Sequence, residues 1–366
     1  MFMSENQIQI DRLLEAAIKQ GASDIHLKVG SRPTLRINGH LNSLDTLVLQ
    51  EEHMPQIIKG ILSESKQITY GKTKNVDASL QQKSSDDKIH NFRVNVAEDF
   101  NGPYITMRVV PEEIMDVTKI GFPYDLWKDV INLKQGLVLV TGITGSGKTT
   151  TLASLVNQIN KTRSERIITL EDPVEYIYPQ GKSFISQREV GSNLGSFGDG
   201  VKYALRQDPD VLLVGEIRDR ETALKTLEAT ATGHLVFSTL HTINASETVR
   251  RYVNLFETDD HDNIRDSLAS HLAYVFSQQL IPYHKGQGRT LAMEVMNVQS
   301  DPAVKNHLRN GEYHKIVNDL QSGKKHKMLT MDQHLGELIE SKRLLAKEAL
   351  PYAHDKKAFG DKYGYS

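Results

Sequence analysis

Short apolar runs alternate with amphipathic stretches through the middle of the chain, from about residue 134 to about residue 250. Residues 136–141 form an apolar run with the length of one buried strand. The stretch that follows repeats apolar residues at the spacing of a buried helix face: Leu152, Leu155, Val156 and Ile159. Strand-like runs recur at 167–170, 211–214 and 235–240. The alternation predicts an α/β domain with a mostly parallel sheet, and the remainder of the chain, to about residue 350, is expected to be helical.

The pattern differs over the first hundred residues. Residues 8–19 carry apolar side chains at helical spacing, whereas residues 25–29 alternate like a half-buried strand. The Asn38-Gly39 pair predicts a tight hairpin between residues 34–37 and 40–41.

A second predicted hairpin joins residues 92–96 to residues 105–109 through Asn101-Gly102. If Asn-Gly is the two-residue loop, Val94 lies opposite Val109, Val96 opposite Met107, and Asn95 opposite Arg108. The period of two then places Arg93 and Arg108 together on the polar face of the hairpin. From this pattern alone, two solvated arginines on an open sheet are the simpler interpretation.

Length and composition limit the possible classes of protein. At 366 residues, two domains are expected from about 150 residues each. We expect a first domain at 1–110, a linker at 111–123 and a second domain at 124–366. The net charge of −2 gives no general attraction to nucleic acid, and the absence of cysteine excludes disulfides and thiol catalysis. With no apolar stretch near the ~18–20 residues that span a bilayer and no signal-peptide core, a cytoplasmic protein is expected.

The run at residues 142–150, GITGSGKTT, lies between the first central strand and its helix. Strand, glycine-rich loop, Lys-Thr and helix together predict a phosphate-binding P-loop, and therefore a nucleoside triphosphate ligand such as ATP. Backbone N–H groups and the helix N-terminus favour an anion, the lysine reaches the phosphates, and Thr149 is the expected Mg²⁺ ligand. The predicted nucleotide-binding residues of this loop are Gly142, Thr144, Gly145, Ser146, Gly147, Lys148, Thr149 and Thr150.

Three further polar side chains follow strand-like runs. Glu171 directly follows the run at 168–170. Glu216 follows the run at 211–214, with Gly215 between Val214 and the acid. Acids at the carboxyl ends of strands beside a P-loop point into the ligand crevice, where Glu216 is a candidate for orienting the attacking water. His241 ends the third run, where it either senses the γ-phosphate or has only a structural role.

Four ordered motifs resemble those of the PilT-type secretion ATPases, a RecA-like family of hexameric motors. They are GITGSGKTT at 142–150, ITLEDPVEY at 168–176, ALRQDPDVLLVGEIRD at 204–219 and TGHLVFSTLHT at 232–242. In addition, QGASDIHLKVG at 20–30 is similar to the opening of the family's N-terminal PAS-like domain. The resemblance implies an N-terminal PAS-like α+β domain joined to a RecA-like ATPase domain with a helical C-terminal part.

The resemblance also implies roles for individual residues. Glu171 and Glu216 correspond to the family's catalytic acids, and His241 to one of its two paired histidines. Arg93 and Arg108 fall where the family places arginines that reach the nucleotide of a neighbouring subunit. The same transfer makes His234 the other paired histidine, expected to bind the nucleotide, and places Arg206 and Arg218 at interface or nucleotide-proximal positions.

Within the family, the resemblance favours the pilus retraction branch. Assembly ATPases such as PilB and GspE have a long N-terminal extension and a four-cysteine zinc module, and this chain is expected to lack both. The stretch 301–310 resembles a retraction motif but departs at Lys305, His307 and Asn310. The implied partners are further copies in a homo-hexamer, an inner-membrane pilus platform protein and a paralogous pilus ATPase. The implied location is cytoplasmic, peripheral to the inner membrane, and no nucleic acid partner is expected.

Two alternatives stay open at this point. One is a DotB-like ATPase of type IV secretion or conjugation, which shares the same motifs. The other is a PilU-like accessory ATPase that hetero-assembles with a retraction motor, an alternative motivated by the altered stretch at 301–310.

Overall fold

The structure, a computed structural model, describes residues 3–4, 7–8, 10–37, 39–83, 89–110, 113–282 and 288–364. The predicted turn residue Asn38 and the first two linker residues, 111–112, lie outside these ranges. The strands are β1 Met3–Ser4, β2 Gln7–Ile8, β3 Ala22–Lys28, β4 Thr34–Ile37, β5 His40–Ser43, β6 Asn75–Lys83, β7 Ile89–Asp99, β8 Gly102–Val110, β9 Gly136–Thr141, β10 Arg166–Glu171, β11 Phe184–Glu189, β12 Val211–Val214, β13 Leu235–Leu240, β14 Leu272–Pro282 and β15 Arg289–Asn297.

The α-helices are α1 Ile10–Lys19, α2 Met54–Ile61, α3 Glu64–Thr73, α4 Val117–Ile120, α5 Leu126–Ile131, α6 Lys148–Thr162, α7 Phe197–Ala204, α8 Arg220–Ala231, α9 Ala245–Val253, α10 His261–His271, α11 Pro302–Arg309, α12 Tyr313–Ser322, α13 Met331–Glu340, α14 Ala346–Ala349 and α15 Lys356–Tyr363. No helix in the described part of the chain is long and apolar enough to cross a membrane.

The described residues form two compact units. Unit 1 comprises the chain up to Ile114 together with Glu171–Tyr178 and Gln187–Ser196, and unit 2 comprises the rest. The division at 1–110, 111–123 and 124–366 stays a prediction. The predicted linker contains helix α4, and unit 1 takes in two segments of the predicted second domain.

Unit 1 is built on a six-stranded antiparallel sheet in the order β5-β4-β3-β8-β7-β6. Alternate residues of β7 and β8, including Val94, Val96 and Met107, are buried against α1 and α2 in one apolar core. Helix α1 confirms the predicted first helix, although it begins at Ile10 rather than at residue 8. The alternation leaves the opposite face of the sheet polar.

The register of the β7–β8 hairpin differs from the prediction by two residues. Arg93 lies opposite Arg108 and Val94 opposite Met107, and the loop residues are Phe100 and Asn101. A type I′ turn would need positive φ at both central residues of an Asn-Gly loop. Here Gly102 has a φ of 110° and is the first residue of β8, so the glycine follows the loop instead of forming its second position. Because the slip is an even number of residues, every side chain stays on its predicted face.

Unit 2 has a seven-stranded sheet in the order β11-β10-β12-β13-β9-β14-β15. The strands from β10 to β14 run parallel, which confirms the predicted parallel sheet, and β15 pairs with β14 antiparallel. All residues of β9, β12 and β13 are buried, as expected for strands covered on both faces.

The expectation that the chain after about residue 250 is entirely helical was wrong. Residues 272–282 and 289–297 are the long strands β14 and β15, and β14 contains several β-branched and aromatic residues that favour strands: Tyr274, Val275, Phe276 and Ile281. They extend the sheet beyond β9, so that β9 is an interior strand. The helical C-terminal part begins only with α11.

Candidate nucleotide site

The predicted P-loop lies between the carboxyl end of β9 and the amino end of α6. Gly147 is the N-cap of α6, and no side chain caps this helix. The first N–H groups of a helix have no partner within the helix, so these donors face the loop. Lys148 Nζ donates to Gly142 O at 2.8 Å and to Ile143 O at 3.1 Å, which holds the ammonium group inside the loop.

The backbone of the loop packs closely against β14 at Gly142. A Cβ atom at Gly142 would lie 2.4 Å from Gln278 O and 2.6 Å from Ser146 Oγ, so only glycine fits there. Ser146 is 3% exposed and its hydroxyl group has no hydrogen-bond partner among the described residues. The remaining predicted loop residues are exposed or half-buried: Thr144, Gly145, Thr149 and Thr150. Free helix-terminal donors, a lysine inside the loop and an unpaired buried hydroxyl suit a nucleotide phosphate.

A cluster of three charged or titratable groups lies at the carboxyl edge of the same sheet. Glu216 follows β12 and His241 follows β13, and these strands are parallel neighbours. His241 Nε2 lies 3.5 Å from one Glu216 carboxylate oxygen, and Arg218 Nη2 lies 2.5 Å from the other. The Glu216 side chain is 12% exposed, so its carboxylate is held in place by both neighbours. The topology therefore brings together three of the predicted site residues.

Burial and the positive charge of Lys148 lower the pKa of His241, and the Glu216 carboxylate opposes this effect only in part. The imidazole is therefore neutral at pH 7, with one nitrogen that donates and one that accepts a hydrogen bond. A neutral histidine beside Glu216 leaves that carboxylate free to act as a base.

The structure separates two of the predicted residues from the P-loop of the same chain. His234 precedes β13, at the end of the sheet where β9 begins, and its carbonyl oxygen accepts from Gly136 N at 3.0 Å. The six residues of β9 span about 20 Å and lie between His234 and the loop. Arg206 is exposed in the turn that leads to the amino end of β12. Parallel strands carry their ligand sites at the carboxyl edge, and neither residue lies at that edge, so the roles that the resemblance implies for them stay a prediction.

Glu171, the last residue of β10, is 7% exposed and belongs to unit 1. Gln187 Nε2 donates to Glu171 Oε1 at 3.2 Å and to Tyr176 O at 2.7 Å. The Gln187 oxygen accepts from Tyr178 N at 3.1 Å. Burial and the nearby charge of Glu171 raise the pKa of Tyr178 far above its ordinary range, so the phenol stays protonated. Gln187 was not predicted as a site residue, because its contact to Glu171 depends on the pairing of β10 with β11.

One row of charged residues crosses four strands on the polar face of unit 1. Asp24 on β3 lies between Arg36 on β4 and Arg108 on β8, and Arg93 on β7 lies opposite Arg108. Arg108 Nε donates to Asp24 Oδ1 at 3.0 Å, while Arg36 Nε lies 3.9 Å from Asp24 Oδ2. Although burial works against it, hydrogen bonds from Ser23 and Arg108 hold the pKa of Asp24 below its ordinary value. Asp24 thus fixes Arg108, and the sequence pattern did not identify it.

The two arginines predicted to reach a nucleotide differ in their contacts and in their exposure. Arg93 Nη1 donates to Glu175 Oε1 at 3.1 Å, within unit 1. The Arg108 side chain is 69% exposed despite its bond to Asp24. Both arginines belong to unit 1, whereas the P-loop belongs to unit 2. The structure therefore confirms the shared polar face, and their role at a nucleotide stays a prediction.

Thr149 is the predicted magnesium ligand, and it is the second residue of α6. Within the described ranges, no group of three or more His, Asp or Glu side chains could hold a metal ion. A site with one protein hydroxyl group fits a metal bound mainly through nucleotide phosphates.

Comparison with known proteins extends over nearly the whole chain. The chain is 35% identical over 341 residues to the type IV pilus retraction ATPase PilT of Pseudomonas aeruginosa, which covers 93% of this chain and 96% of that protein. It is 36% identical over 317 residues to a twitching motility protein of Neisseria gonorrhoeae, covering 87% and 83% of the two chains.

A solved structure agrees with these relatives. The pilus retraction motor PilT with bound ADP superposes with a TM-score of 0.86 at 36% identity, covering 96% of this chain and 99% of that one. This likeness confirms the predicted fold class. Residues 4–357 match the family model described as Type II/IV secretion system protein. The chain therefore belongs to the Type II/IV secretion system protein family, as its motifs predicted.

Proposed function

We propose that this chain is an ATP-hydrolysing motor that drives type IV pilus retraction. The observation that carries the proposal is the meeting of Lys148, Glu216 and His241 at one edge of a parallel sheet. The family and the named retraction ATPases among its relatives support the direction of the motor.

Each residue at this edge has a distinct proposed task. Lys148 and the N–H groups at the start of α6 bind the phosphates, and Thr149 is the protein ligand of Mg²⁺, which neutralises phosphate charge when bound. Glu216 accepts a proton from the attacking water and orients it. The neutral His241 hydrogen-bonds to this arrangement without competing for the proton. Arg218 holds the Glu216 carboxylate in position.

Turnover should depend on assembly into a homo-hexamer. Arg108 is exposed and preoriented by Asp24, which supports a role at the nucleotide of a neighbouring subunit. An arginine supplied from another subunit can contribute ~10³–10⁵ in turnover. Movement of one subunit against the next would then act on a pilus platform protein at the inner membrane.

The altered stretch at 301–310 forms a regular helix. Asp301 caps α11, and the unusual His307 pairs through Nδ1 with Asp319 at 2.7 Å. Arg309 Nε donates to Asp266 at 2.9 Å. His307, one of the three departures from the retraction motif, is therefore accommodated by a local hydrogen bond, which supports an intact motor.

The test is ATP hydrolysis by the purified chain, with its mass measured in the same samples with and without Mg-ATP. We expect turnover only in a hexamer-sized species, and loss of retraction on deletion of the gene. A protein that binds ATP without turnover alone, but raises turnover by a retraction motor when mixed with it, would instead establish the accessory role. Loss of conjugation or secretion with intact pilus retraction would establish the DotB-like role.

A further inference from the structure

Strand β14 is apolar and buried through most of its length, yet it carries a glutamine directly beside the P-loop. Gln278 is 1% exposed. The pairing of β14 with β9 ends at Ser277 and Thr141, so Gln278 lies just beyond the last paired residue of β9, where that strand turns into the loop. A polar side chain at such a buried position is costly unless its hydrogen bonds repay it.

The amide of Gln278 is only half satisfied. Its Nε2 group donates to Ser146 O at 2.7 Å, whereas its Oε1 atom is buried without a hydrogen-bond partner among the described residues. An apolar residue of the same volume would remove this unpaired acceptor, which offsets the loss of the bond to Ser146 O. The glutamine is therefore better explained by its effect on the loop than by the stability of the fold.

The bond to Ser146 O determines the orientation of one peptide group. In a trans peptide the C=O of Ser146 and the N–H of Gly147 point in opposite directions. Because Gln278 holds the carbonyl toward β14, the Gly147 N–H points away from the strand, to the side of the loop where a phosphate binds. The backbone at Gly142 also approaches the main chain of Gln278, so strand and loop are in close contact at two points.

We propose that Gln278 is a positioning residue that preorganises the P-loop for phosphate by fixing the Ser146–Gly147 peptide. The inference rests on the proposed function, because it concerns the nucleotide of that site. It assigns to β14, which contributes no residue to the loop, a share in nucleotide affinity. A ligand that uses the Gly147 N–H binds more weakly when the peptide is free to rotate.

The experiment measures ADP affinity by fluorescence of a labelled ADP, together with kcat and KM for ATP, in Gln278→Met and Gln278→Glu. Both variants lack the Nε2 donor. We expect ADP affinity to fall about tenfold and KM to rise about tenfold, as for one lost hydrogen bond to a site that binds charge. We expect kcat at saturation to change much less, since the lost interaction serves substrate and transition state alike.

The adjacent Gln279 is the matched control, because it is a glutamine on the opposite face of the same strand and is only half-buried. Gln279→Met should leave ADP affinity unchanged. The melting temperature separates the proposed role from a structural one: because loss of the unpaired Oε1 offsets loss of the bond to Ser146 O, Gln278→Met should melt at about the same temperature as the wild type. A lower melting temperature with unchanged ADP affinity would overturn the inference.

Gln278→Glu covers the case in which the methionine variant does not fold, because it preserves the shape of the side chain. Unchanged ADP affinity in a folded Gln278→Glu would equally overturn the inference. If the wild-type chain itself binds neither ADP nor ATP, the proposed function fails and the inference fails with it.

Discussion

The two sheets distribute their charged groups in different ways. In unit 2, strands β9, β12 and β13 are buried along their whole length, so charged side chains occur only where the strands end. In unit 1, the alternation of β7 and β8 leaves a complete polar face, and a row of charges runs across it. A parallel sheet thus concentrates its chemistry at one edge, whereas an antiparallel sheet can offer it anywhere on a face.

This difference decides what each region can do alone. Glu216 and His241 are brought together by the order of the strands, and both lie in unit 2 with the P-loop. Arg108 lies in the other unit, held by Asp24 and largely exposed. We infer that the edge of unit 2 supplies the chemistry and that the face of unit 1 supplies a group that depends on assembly.

The largest expected effect is at the face of unit 1. Arg108→Ala should lower kcat by ~10³–10⁵ while each chain still binds ADP, because an arginine that stabilises transition-state charge contributes this much. The measurement is steady-state ATP turnover by assembled protein. Arg36→Ala is the control, since Arg36 shares Asp24 from the same row but is not predicted to reach a nucleotide. Equal loss in both variants would show that the row maintains the fold of the sheet rather than turnover.

At the edge of unit 2, Glu216→Gln should reduce turnover by ~10²–10⁴ and leave ADP affinity within about twofold of wild type, as expected for loss of a general base. Single-turnover hydrolysis and ADP binding measure the two quantities. The control is Glu228→Gln. Glu228 lies on the exposed face of α8 beside Lys225, so this variant should have the turnover and ADP affinity of the wild type. Wild-type turnover in Glu216→Gln would remove the edge cluster from the mechanism.

The sequence predicted the edge well because few structural facts were needed. Once the P-loop fixes one strand, the acids and histidine that end neighbouring strands must lie at the same edge. The same reasoning does not reach His234 and Arg206, which precede β13 and β12 and lie away from the carboxyl edge. Both were inferred from resemblance, and the position of a motif along the chain does not indicate which end of a strand carries each residue.

The face of unit 1 was harder to predict, because it depends on pairing between strands. The hairpin register was wrong by two residues, yet Arg93 and Arg108 share a face because the period of a strand is two. Asp24, Gln187 and Gln278 were missed, since each acts through a partner that is distant in the sequence. The one local signal was Gln278 itself, a polar residue within an apolar run.

A third prediction concerns the stability of unit 1. Glu189 is 5% exposed and accepts from Val174 N and from the hydroxyl groups of Ser79 and Ser192, with Lys66 Nζ 4.0 Å away. Glu189→Gln should lower the free energy of unfolding by about 3–5 kcal/mol, because it leaves a buried ammonium group without its opposite charge.

Urea unfolding measures this loss, with hydrogen exchange in unit 1 as the probe of unfolding. The control is Asp45→Asn, which removes an exposed pair with Arg32 and should leave stability nearly unchanged. Similar small losses in both variants would mean that the bond to Val190 O is enough to hold the Lys66 ammonium group and that the charge of Glu189 is dispensable.

The smallest expected effect depends on pH and lies in unit 2. His334 is 4% exposed, and its Nδ1 atom accepts from Met293 N at 2.8 Å. Burial lowers the pKa of His334 to about 4 from 6.5. The unfolded chain therefore binds a proton between these values that the folded chain does not. The stability that neutral His334 contributes is complete above about pH 6.5 and is lost as the pH falls toward 4, by about 3 kcal/mol in total.

Comparison of His334→Gln with wild type isolates the pH-dependent contribution of His334 to stability, since the other titrating groups are common to both proteins. The wild type should lose stability relative to the variant between pH 6.5 and pH 4, as measured by urea unfolding at each pH. Asp24 in unit 1 loses its contribution over a lower pH range. Its pKa lies below the ordinary value, so the advantage of wild type over Asp24→Asn should persist at pH 4 and vanish only in stronger acid. If both differences developed over the same pH range, the contrast between a neutral buried group in unit 2 and an ionised pair in unit 1 would be lost.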